Sequence, residues 1–380
     1  MDITLTREQQ DIAKEARRFL TNECPFDYVR EMFEDERGFT DDIWTKMAEM
    51  DWMAMRIPEA YGGLGMDQID LNTVLEEMGR AVLPGPFFST VMLAAEVIIE
   101  AGTDAQKEHY LPGIADGKLK GTLALHEADG GADLNYIQMP AHAKGNDLIL
   151  NGTKLFVPDA HVADFLVCVS RTKNGNDPTR GITLFLVDPD MDGISVHPLP
   201  TMDGSRRLSA VEFNNVQLGT GSILGELNNG WTPLQRVLQR AQVGLSAECV
   251  GGAQRAMEIA TDYAKVRIQY DQPIGAFQAI KHRCAQMFVD SESARSILYW
   301  AAWAQDHADE KEAAISASVA KTYCTEAFTH NAASGIQVLG GTGFTMENEM
   351  NLFLKRAKAN EMALGDPVYH RERVMQLLIQ

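Results

Sequence analysis

The period of the hydrophobic pattern changes twice along this chain of 380 residues, and these two changes constrain the fold more than any other feature. From Thr6 to about Leu119, apolar residues recur at the spacing of an amphipathic helix. Thr6, with Gln9 three residues later, has the form of a helix capping box. Proline and glycine interrupt the pattern at 62–63, 84–86 and 112–113. This zone predicts an N-terminal helical domain over residues 1–119.

Short apolar or alternating runs replace the helical pattern from about Lys120 to Gly225. Turn-forming residues separate the runs, for example at 174–178 and 192–193. The runs cover residues 122–125, 147–150, 165–169, 182–187 and 211–218. This pattern predicts an antiparallel β domain over residues 120–225.

The helical period returns at Trp231 and continues to the end of the chain. One stripe of small and apolar residues consists of Ala313, Ala317, Ala320, Cys324, Ala327 and Phe328. Three or four long antiparallel helices would bury such stripes against one another. We therefore predict a C-terminal helical bundle over residues 226–380, and a fold class that is mainly α with a middle β domain.

The charge balance excludes several classes of partner. Lys and Arg number 34 while Asp and Glu number 53, which gives a formal net charge of −19. Nucleic acid and anionic lipid both need a basic surface, so neither is expected as the main partner. The N-terminus has no apolar signal segment, and no run reaches the roughly 18 apolar residues of a membrane span.

The cysteines predict reduced thiols rather than a disulfide framework. They are Cys24, Cys168, Cys249, Cys284 and Cys324. Their number is odd, they are widely spaced, and no C-x-x-C pair occurs. Such usage is typical of the reducing cytoplasm, which is the predicted location. No His or Cys pair has metal-ligand spacing, so no metal site is expected.

Four glycine-containing or turn-like motifs carry the chemical signal. They are PEAYGGLG at 58–65, LALHEADGGAD at 123–133, KVRIQYDQPIGAFQ at 265–278 and QVLGGTGF at 337–344. The last motif is not a Rossmann fingerprint, because no strand precedes it. A Gly-Gly turn that opens a helix offers backbone N–H groups to a phosphate, although a plain turn connecting two helices explains the motif equally well.

These four motifs, in this order, resemble the flavin-dependent acyl-CoA dehydrogenases over essentially the whole chain. The family patterns P-E-x-Y-G-G-x-G and Q-x-x-G-G-x-G are intact at 58–65 and 337–343. The patterns L-T-E-P-x-x-G-S-D, K-x-W-I-T and R-x-x-F-G appear in altered form at 125–133, 154–158 and 267–271. The resemblance implies an N-terminal helical domain, a middle antiparallel β-barrel and a C-terminal four-helix bundle.

The resemblance also implies a reaction and its cofactor. A carboxylate would remove the α-proton of an acyl-CoA thioester while the β-hydride passes to FAD, with electron-transferring flavoprotein as the electron acceptor. Residues expected around the flavin ring are Leu123, Leu125, His126, Gly131, Ala132, Phe156 and Pro158. Residues expected to hold the flavin pyrophosphate of a neighbouring subunit in a tetramer are Arg267, Gln269, Phe277, Gln278, Gln337, Gly340 and Gly341.

The sequence departs from the family where the chemistry should be. The catalytic Glu of the usual Y-E-G-T pattern falls on Leu364, and the alternative Glu-Arg pair falls on Ala241 and Gln242. The flavin-facing hydroxyl positions are Pro158 and Ala132.

The local charges near the expected cofactor are also altered. Asp271 replaces the Gly of R-x-x-F-G, and its charge should repel a pyrophosphate. Arg267 and Lys154 remain as cations for anionic ligands.

Three hypotheses follow. In the first, the chain resembles the base-lacking small subunit of heteromeric members such as pimeloyl-CoA dehydrogenase, and pairs with a Glu-bearing chain to desaturate bulky, cyclic or dicarboxylic acyl-CoAs. In the second, a homo-oligomer uses a relocated base, with Asp366, Glu127, Asp129 and His126 as candidates. In the third, the chain is a non-catalytic subunit that binds no flavin. Asp366 has a structural alternative as a helix cap, because Pro367 follows it. The sequence does not identify the acyl group.

Overall fold

The structure, a computed structural model, describes residues 5–128, 137–145, 147–175 and 177–379. In the described part of the chain, six α-helices precede the first strand: α1 (Arg7–Glu23), α2 (Phe26–Glu34), α3 (Asp41–Glu49), α4 (Gln68–Ala81), α5 (Glu96–Ala101) and α6 (Asp104–Ala115). A buried π-helix, Phe88–Ala95, leads directly into α5. The predicted capping box is confirmed, because Thr6 Oγ1 accepts from the Gln9 amide and Gln9 Oε1 accepts from the Thr6 amide.

The middle of the chain forms two four-stranded sheets that share one core. The strands are β1 (Gly121–Ala124), β2 (Ala141–Lys144), β3 (Asp147–Pro158), β4 (Phe165–Arg171), β5 (Ile182–Val187), β6 (Ile194–Leu199), β7 (Leu208–Leu218) and β8 (Ile223–Leu224). Their orders are β1-β4-β5-β8 and β2-β3-β7-β6. Leu150 and Val211 of one sheet and Phe185 of the other are fully buried in the shared cluster.

The expectation of a purely antiparallel β domain is wrong at one pair of strands. β1 pairs with β4 in parallel, with Gly121 opposite Phe165. The chain leaves β1, forms β2 and β3 in the other sheet, and returns to β4 in the original direction. Parallel neighbours require such a crossover, whereas antiparallel neighbours need only a turn.

Two of the strands that the sequence missed, β2 and β6, are weakly buried. β2 and β6 lie at the two edges of their sheet. β6 has no buried residue, and only Ala141 is buried in β2. An edge strand packs against fewer neighbours, so its sequence carries little of the apolar pattern by which strands are predicted.

Helices dominate the rest of the chain. They are α7 (Trp231–Val266), α8 (Gln278–His307), α9 (Glu310–Leu339), α10 (Glu349–Met362) and α11 (Pro367–Ile379), with a short hairpin of β9 (Ile268–Gln269) and β10 (Gln272–Pro273) before α8. The predicted apolar stripe of α9 is confirmed as buried. Among the described residues, no helix has both the length and the apolar composition needed to cross a membrane.

The chain divides into two compact units, and these do not coincide with the three zones of the sequence. The first unit contains Met1–Glu31, Gln68–Leu83 and Gln242–Gln380, so it combines α1 and α4 with the helices of the C-terminal zone. The second contains Met32–Asp67 and Pro84–Ala241, and therefore both sheets. The domain ranges 1–119, 120–225 and 226–380 follow the order of helices and strands along the chain. As domain boundaries, they stay a prediction.

Two glycines allow helices of the first unit to approach closely. A Cβ atom on Gly79 of α4 would lie 2.0 Å from the carbonyl oxygen of Glu248, and one on Gly251 of α7 would lie 1.8 Å from that of Glu76. Such distances are shorter than any van der Waals contact. The helices α4 and α7 therefore meet backbone to backbone, which no other residue type at these positions permits.

We expect Gly251→Ala to lower the free energy of unfolding by about 2 to 3 kcal/mol, because the added methyl group forces α4 and α7 apart. Urea denaturation followed by circular dichroism measures this change. Gly341→Ala is the matched control, because a Cβ atom there meets nothing within 4 Å. Equal unfolding midpoints for the two variants would contradict the close approach.

Candidate functional site

The first group of expected flavin-facing residues lies where β1 ends. Leu123 and Leu125 are buried, and His126 is half-buried. The carbonyl oxygen of His126 accepts a hydrogen bond from the Leu155 amide at 2.8 Å. This bond joins the segment after β1 to β3 of the other sheet, so the two sheets are held together at this strand end.

A buried ion pair fixes the same strand end. Lys154 Nζ donates to the carbonyl oxygen of Leu125 at 3.1 Å and to Glu127 Oε1 at 2.5 Å. Glu127 Oε2 accepts from the amides of Gln138 and Met139 at 3.0 and 2.9 Å. Because Lys154 is fully buried and engaged, it is not the available cation that the sequence suggested. Glu127 is likewise committed to structure, which argues against it as a catalytic base.

The electrostatics of His126 also argue against a catalytic role. Burial, followed by the nearby positive charge of Lys154, lowers the pKa of His126 to about 4. The imidazole is therefore neutral at physiological pH. A base of that strength is poorly matched to removing a proton at neutral pH.

A bulge in β3 presents Phe156 to solvent. The pairing of β3 with β7 shifts between Lys154 and Val157, so β3 contains an extra residue there. Phe156 has a φ of 53°, which is strained for an aromatic residue, and its exposed fraction is 55%. Thr122 Oγ1 donates to the carbonyl oxygen of Pro158 at 2.5 Å and anchors the end of the strand. The aromatic ring is thus available for contact with a ligand.

Three residues of the expected site lie outside the described residues. They are Gly131 and Ala132, expected beside the flavin, and Asp129, a candidate base.

The second group of expected flavin-binding residues begins at the β9–β10 hairpin. Tyr270 and Asp271 form its two-residue turn, with φ values of 53° and 63°. This is a type I′ turn, which needs the left-handed conformation at both positions and tolerates Asp as well as Gly. Asp271 therefore has a backbone role that its charge alone did not reveal. Arg267 and Gln269 are exposed beside the turn.

The start of α8 and the end of α9 lie together. The two helices are antiparallel neighbours, and Arg283 Nη1 of α8 donates to Ser334 Oγ of α9 at 3.4 Å. Phe277 occupies the N-cap position of α8 without a side-chain hydrogen bond to the helix, and Gln278 is the first helical residue. Gln337 is exposed on the last turn of α9. The two parts of the expected pyrophosphate site therefore share one end of the helix pair.

The glycine turn after α9 is open. Gly340 has a φ of 67°, which favours glycine. Gly341 has no positive φ, and a Cβ atom added to it would meet no neighbour within 4 Å, so nothing inside the described chain requires glycine there. The Gly340 amide donates to the carbonyl oxygen of Ile336, so this turn ends α9 and does not open a helix. Backbone N–H groups at the uncapped start of α8, with Arg267 nearby in sequence, and the open space at Gly341 fit a diphosphate group.

Neither of the two usual base positions carries a carboxylate. Leu364 is buried with a φ of 57°. Its carbonyl oxygen accepts from His370 Nε2 at 3.0 Å and from Gln242 Nε2 at 3.4 Å. Gln242 follows Ala241, the alternative base position, directly in α7. The segment around Leu364 is therefore held by buried hydrogen bonds, and neither expected base position supplies an acid.

A buried lysine holds the same segment from a third side. Lys321 Nζ donates to the carbonyl oxygens of Glu361 at 3.1 Å and Gly365 at 2.8 Å. Burial lowers the pKa of Lys321 to about 8, so the ammonium form persists at neutral pH. We call Gln242, Lys321 and His370 the carbonyl clamp, because all three bind backbone oxygens of residues 361–365.

Asp366, the foremost candidate for a relocated base, caps a helix. Its Oδ1 accepts from the Tyr369 amide at 2.8 Å, and Pro367 begins α11. This is the structural alternative that the Asp-Pro sequence indicated. The carboxylate has a role in the fold that does not involve catalysis.

Sequence reasoning missed Lys321 and His370. Neither lies in a motif, and Lys321 is 44 residues from Gly365, whose carbonyl it binds. The signal in the sequence that could have identified Lys321 is its place in an otherwise apolar helical stripe. A charge buried there needs a hydrogen-bonding group nearby, since an unpaired buried charge is costly.

Comparisons with known proteins agree with this architecture. Family models match residues 6–118 (acyl-CoA dehydrogenase, N-terminal domain), 122–216 (middle domain) and 228–379 (C-terminal domain). A relative named caffeyl-CoA reductase-Etf complex subunit CarC, from Acetobacterium woodii, is 31% identical over 348 residues, which is 90% of each chain.

Two solved structures have the same fold. Butyryl-CoA dehydrogenase from Megasphaera elsdenii has a TM-score of 0.91 and 25% identity, with 100% of both chains covered. A chain of the ChsE4-ChsE5 complex from Mycobacterium tuberculosis has a TM-score of 0.89 and 25% identity, covering 100% of this chain and 99% of that one.

We expect acid to destabilise the protein through His370. Burial first, and the charge of Lys321 next, lower its pKa to about 4, from an ordinary 6.5. Between these values the unfolded chain binds a proton that the folded chain does not, so stability falls as the pH falls from 6.5 towards 4. His370→Gln should remove about 2 kcal/mol of the loss in unfolding free energy between about pH 7 and about pH 5.

Urea denaturation at the two pH values measures the loss. The same substitution at His142, which is exposed in β2, is the matched control. An unchanged pH dependence in His370→Gln would contradict a buried neutral imidazole.

Proposed function

The chain belongs to the acyl-CoA dehydrogenase family and is an FAD-dependent oxidoreductase acting on CH–CH groups, and from this premise we propose that it is one subunit of a heteromeric acyl-CoA dehydrogenase. In this proposal, a related partner chain supplies the catalytic carboxylate. The complex removes the α-proton and the β-hydride of an acyl-CoA thioester and so introduces an α,β double bond. Family membership argues against the hypothesis of a subunit without flavin.

The observation that carries this proposal is the pair of base positions without a base. Leu364 and Ala241 cannot accept a proton, and Gln242 joins their two segments through the Leu364 carbonyl. Removing an α-proton requires a carboxylate or comparable base close to the carbon. Among the described candidates, Glu127 is held by Lys154, His126 is too weak a base, and Asp366 caps α11.

We propose that the chain contributes two separate surfaces to flavin binding. The strand-end surface, with Leu125, His126 and the exposed Phe156, packs against the flavin ring; the open turn at Gly340 and Gly341 binds a pyrophosphate. When bound, FAD supplies the acceptor for the β-hydride. The exposed aromatic ring and the unexplained glycine support these two assignments.

The remaining flavin residues follow the same division. Leu123 and Pro158 are assigned to the strand-end surface, and Arg267, Gln269, Phe277, Gln278 and Gln337 to the pyrophosphate surface. Gly131 and Ala132, which the sequence places beside the flavin, lie outside the described residues. Pro158 and Ala132 offer no hydroxyl to the flavin, so the strand-end surface binds it by packing and backbone groups.

The relatives suggest two kinds of partner. CarC is named as a subunit of a reductase-Etf complex, and ChsE4-ChsE5 is a complex of two chains. We propose by analogy that a second acyl-CoA dehydrogenase-like chain completes this enzyme, as a tetramer, and that electron-transferring flavoprotein accepts its electrons.

One alternative keeps a complete homo-oligomer with Asp366 as a relocated base. Its position two residues after Leu364 favours it, because a small shift of the 361–365 segment would exchange the two residues. Its cap bond to Tyr369 disfavours it, because catalysis would then compete with the start of α11.

We expect the recombinant chain alone to lack dehydrogenase activity, because no described side chain at the base positions takes a proton. Co-expression with a family member that has Glu at the position of Leu364 should give a yellow complex that oxidises acyl-CoA. Turnover of a panel of acyl-CoA thioesters with a dye acceptor measures this activity.

Full turnover by the pure single chain would contradict the need for a partner. Asp366→Asn then decides the alternative: lost turnover with bound flavin supports a relocated base, and unchanged turnover removes Asp366.

We expect Gly341→Ala to reduce the flavin content of the complex without lowering its thermal stability after the flavin is removed. The methyl group occupies the space through which a pyrophosphate reaches the backbone. Absorbance at the flavin band per mole of complex measures the occupancy. Gly175→Ala is the control, since its Cβ atom also meets nothing within 4 Å. Equal flavin content in both variants would rule out pyrophosphate binding at Gly341.

A further inference from the structure

The first compact unit contains a cavity of about 490 Å³ that the proposed function does not use. Its walls come from α1, the start of α2, the end of α4, the middle of α7 and the start of α10. Cavities of this size are typical of small-molecule sites. All of its lining residues belong to the first unit.

Four guanidinium groups line the cavity of this acidic protein: Arg17, Arg30, Arg80 and Arg255. Arg17 binds Glu77 through Nε at 2.9 Å and Nη2 at 2.7 Å, which neutralises it and leaves Nη1 free of that pair. Arg80 makes a similar two-point pair with Glu258. These two pairs occupy two of the four guanidinium groups.

The other two guanidinium groups have donors to spare. Arg255 reaches Glu258 at only 3.4 Å, and that carboxylate is already bound by Arg80. Arg30 donates to Asp27, whose side chain is 97% exposed, and to a backbone carbonyl. The Nε atom of Arg30 is enclosed by protein atoms and cannot reach a ligand, so its spare donors are the second N–H groups of Nη1 and Nη2. A guanidinium with unused donors is suited to a carboxylate.

Part of the cavity lining is apolar, and we call this part the floor. Leu20 and Cys24 are buried there, and Phe26 and Ala81 also line it. Burial raises the pKa of Cys24 to about 12, so the thiol is neutral at physiological pH and behaves as part of the apolar floor.

We propose that this cavity binds a small amphipathic carboxylate, with its anionic head on Arg255 and Arg30 and its short hydrocarbon chain on Leu20 and Phe26. Three carboxylates also line the cavity: Asp27 and Glu77, which are paired with Arg30 and Arg17, and Glu349, whose charge opposes an anion. Removing a cation should therefore weaken binding of the anion, whereas removing the charge of Glu349 should strengthen it.

The experiment titrates octanoate into the purified full-length chain and its complex by isothermal titration calorimetry. We expect saturable binding that Arg255→Gln weakens about tenfold and that Glu349→Gln strengthens. Arg371→Gln is the matched control, because Arg371 pairs with Glu326 on the surface outside the cavity. Octylammonium, with the same chain and the opposite charge, should not bind.

A second variant blocks the cavity without touching its charges. Thr21 is exposed on α1 at the rim, so Thr21→Trp should fold and abolish octanoate binding. The proposal is overturned if octanoate binds equally to all four variants, which would place it at the acyl-CoA site or elsewhere. If octylammonium bound as tightly as octanoate, the cavity would not recognise an anionic head. If inorganic phosphate bound as tightly, the cavity would not recognise the hydrocarbon chain. Either result would overturn the proposal.

Discussion

The carbonyl clamp holds the segment that contains Leu364, one of the two expected base positions. Lys321, His370 and Gln242 are buried, and each donates to a backbone oxygen of residues 361–365. These bonds hold Leu364 in a left-handed conformation that costs a branched aliphatic residue energy. The segment at the expected base position is therefore rigidly held, while the residue at that position, Leu364, cannot accept a proton. This combination is what we propose for a subunit whose catalytic carboxylate comes from a partner chain.

The two surfaces that we propose for flavin binding differ in the charged groups they contain. Beneath the strand-end surface lies one fully buried cation, Lys154. Its ammonium group already donates to Glu127 and to the carbonyl oxygen of Leu125. The proposed pyrophosphate surface would rely on backbone N–H groups and one exposed cation, Arg267. A net charge of −19 is compatible with anionic ligands only where such local donors are concentrated.

Local patterns in the sequence predicted the order of the elements, while contacts between distant residues escaped it. The capping box at Thr6 and the cap at Asp366 were readable because cap chemistry depends on three or four neighbouring residues. The parallel pairing of β1 with β4 was not, because it joins Gly121 to Phe165 through a crossover. The carbonyl clamp could not be predicted for the same reason, because Lys321 and Gly365 are 44 residues apart. The sequence indicated only the charge of Asp271, because the type of its turn depends on backbone φ angles.

The most direct test of the central claim is native mass spectrometry of the complex purified from the source cells under mild conditions. We expect the 42.0 kDa chain to appear with a second, different chain of the same family and with bound FAD. A homo-oligomer of this chain alone, with one FAD per chain and full acyl-CoA dehydrogenase activity, would contradict the claim that its catalytic carboxylate comes from a partner.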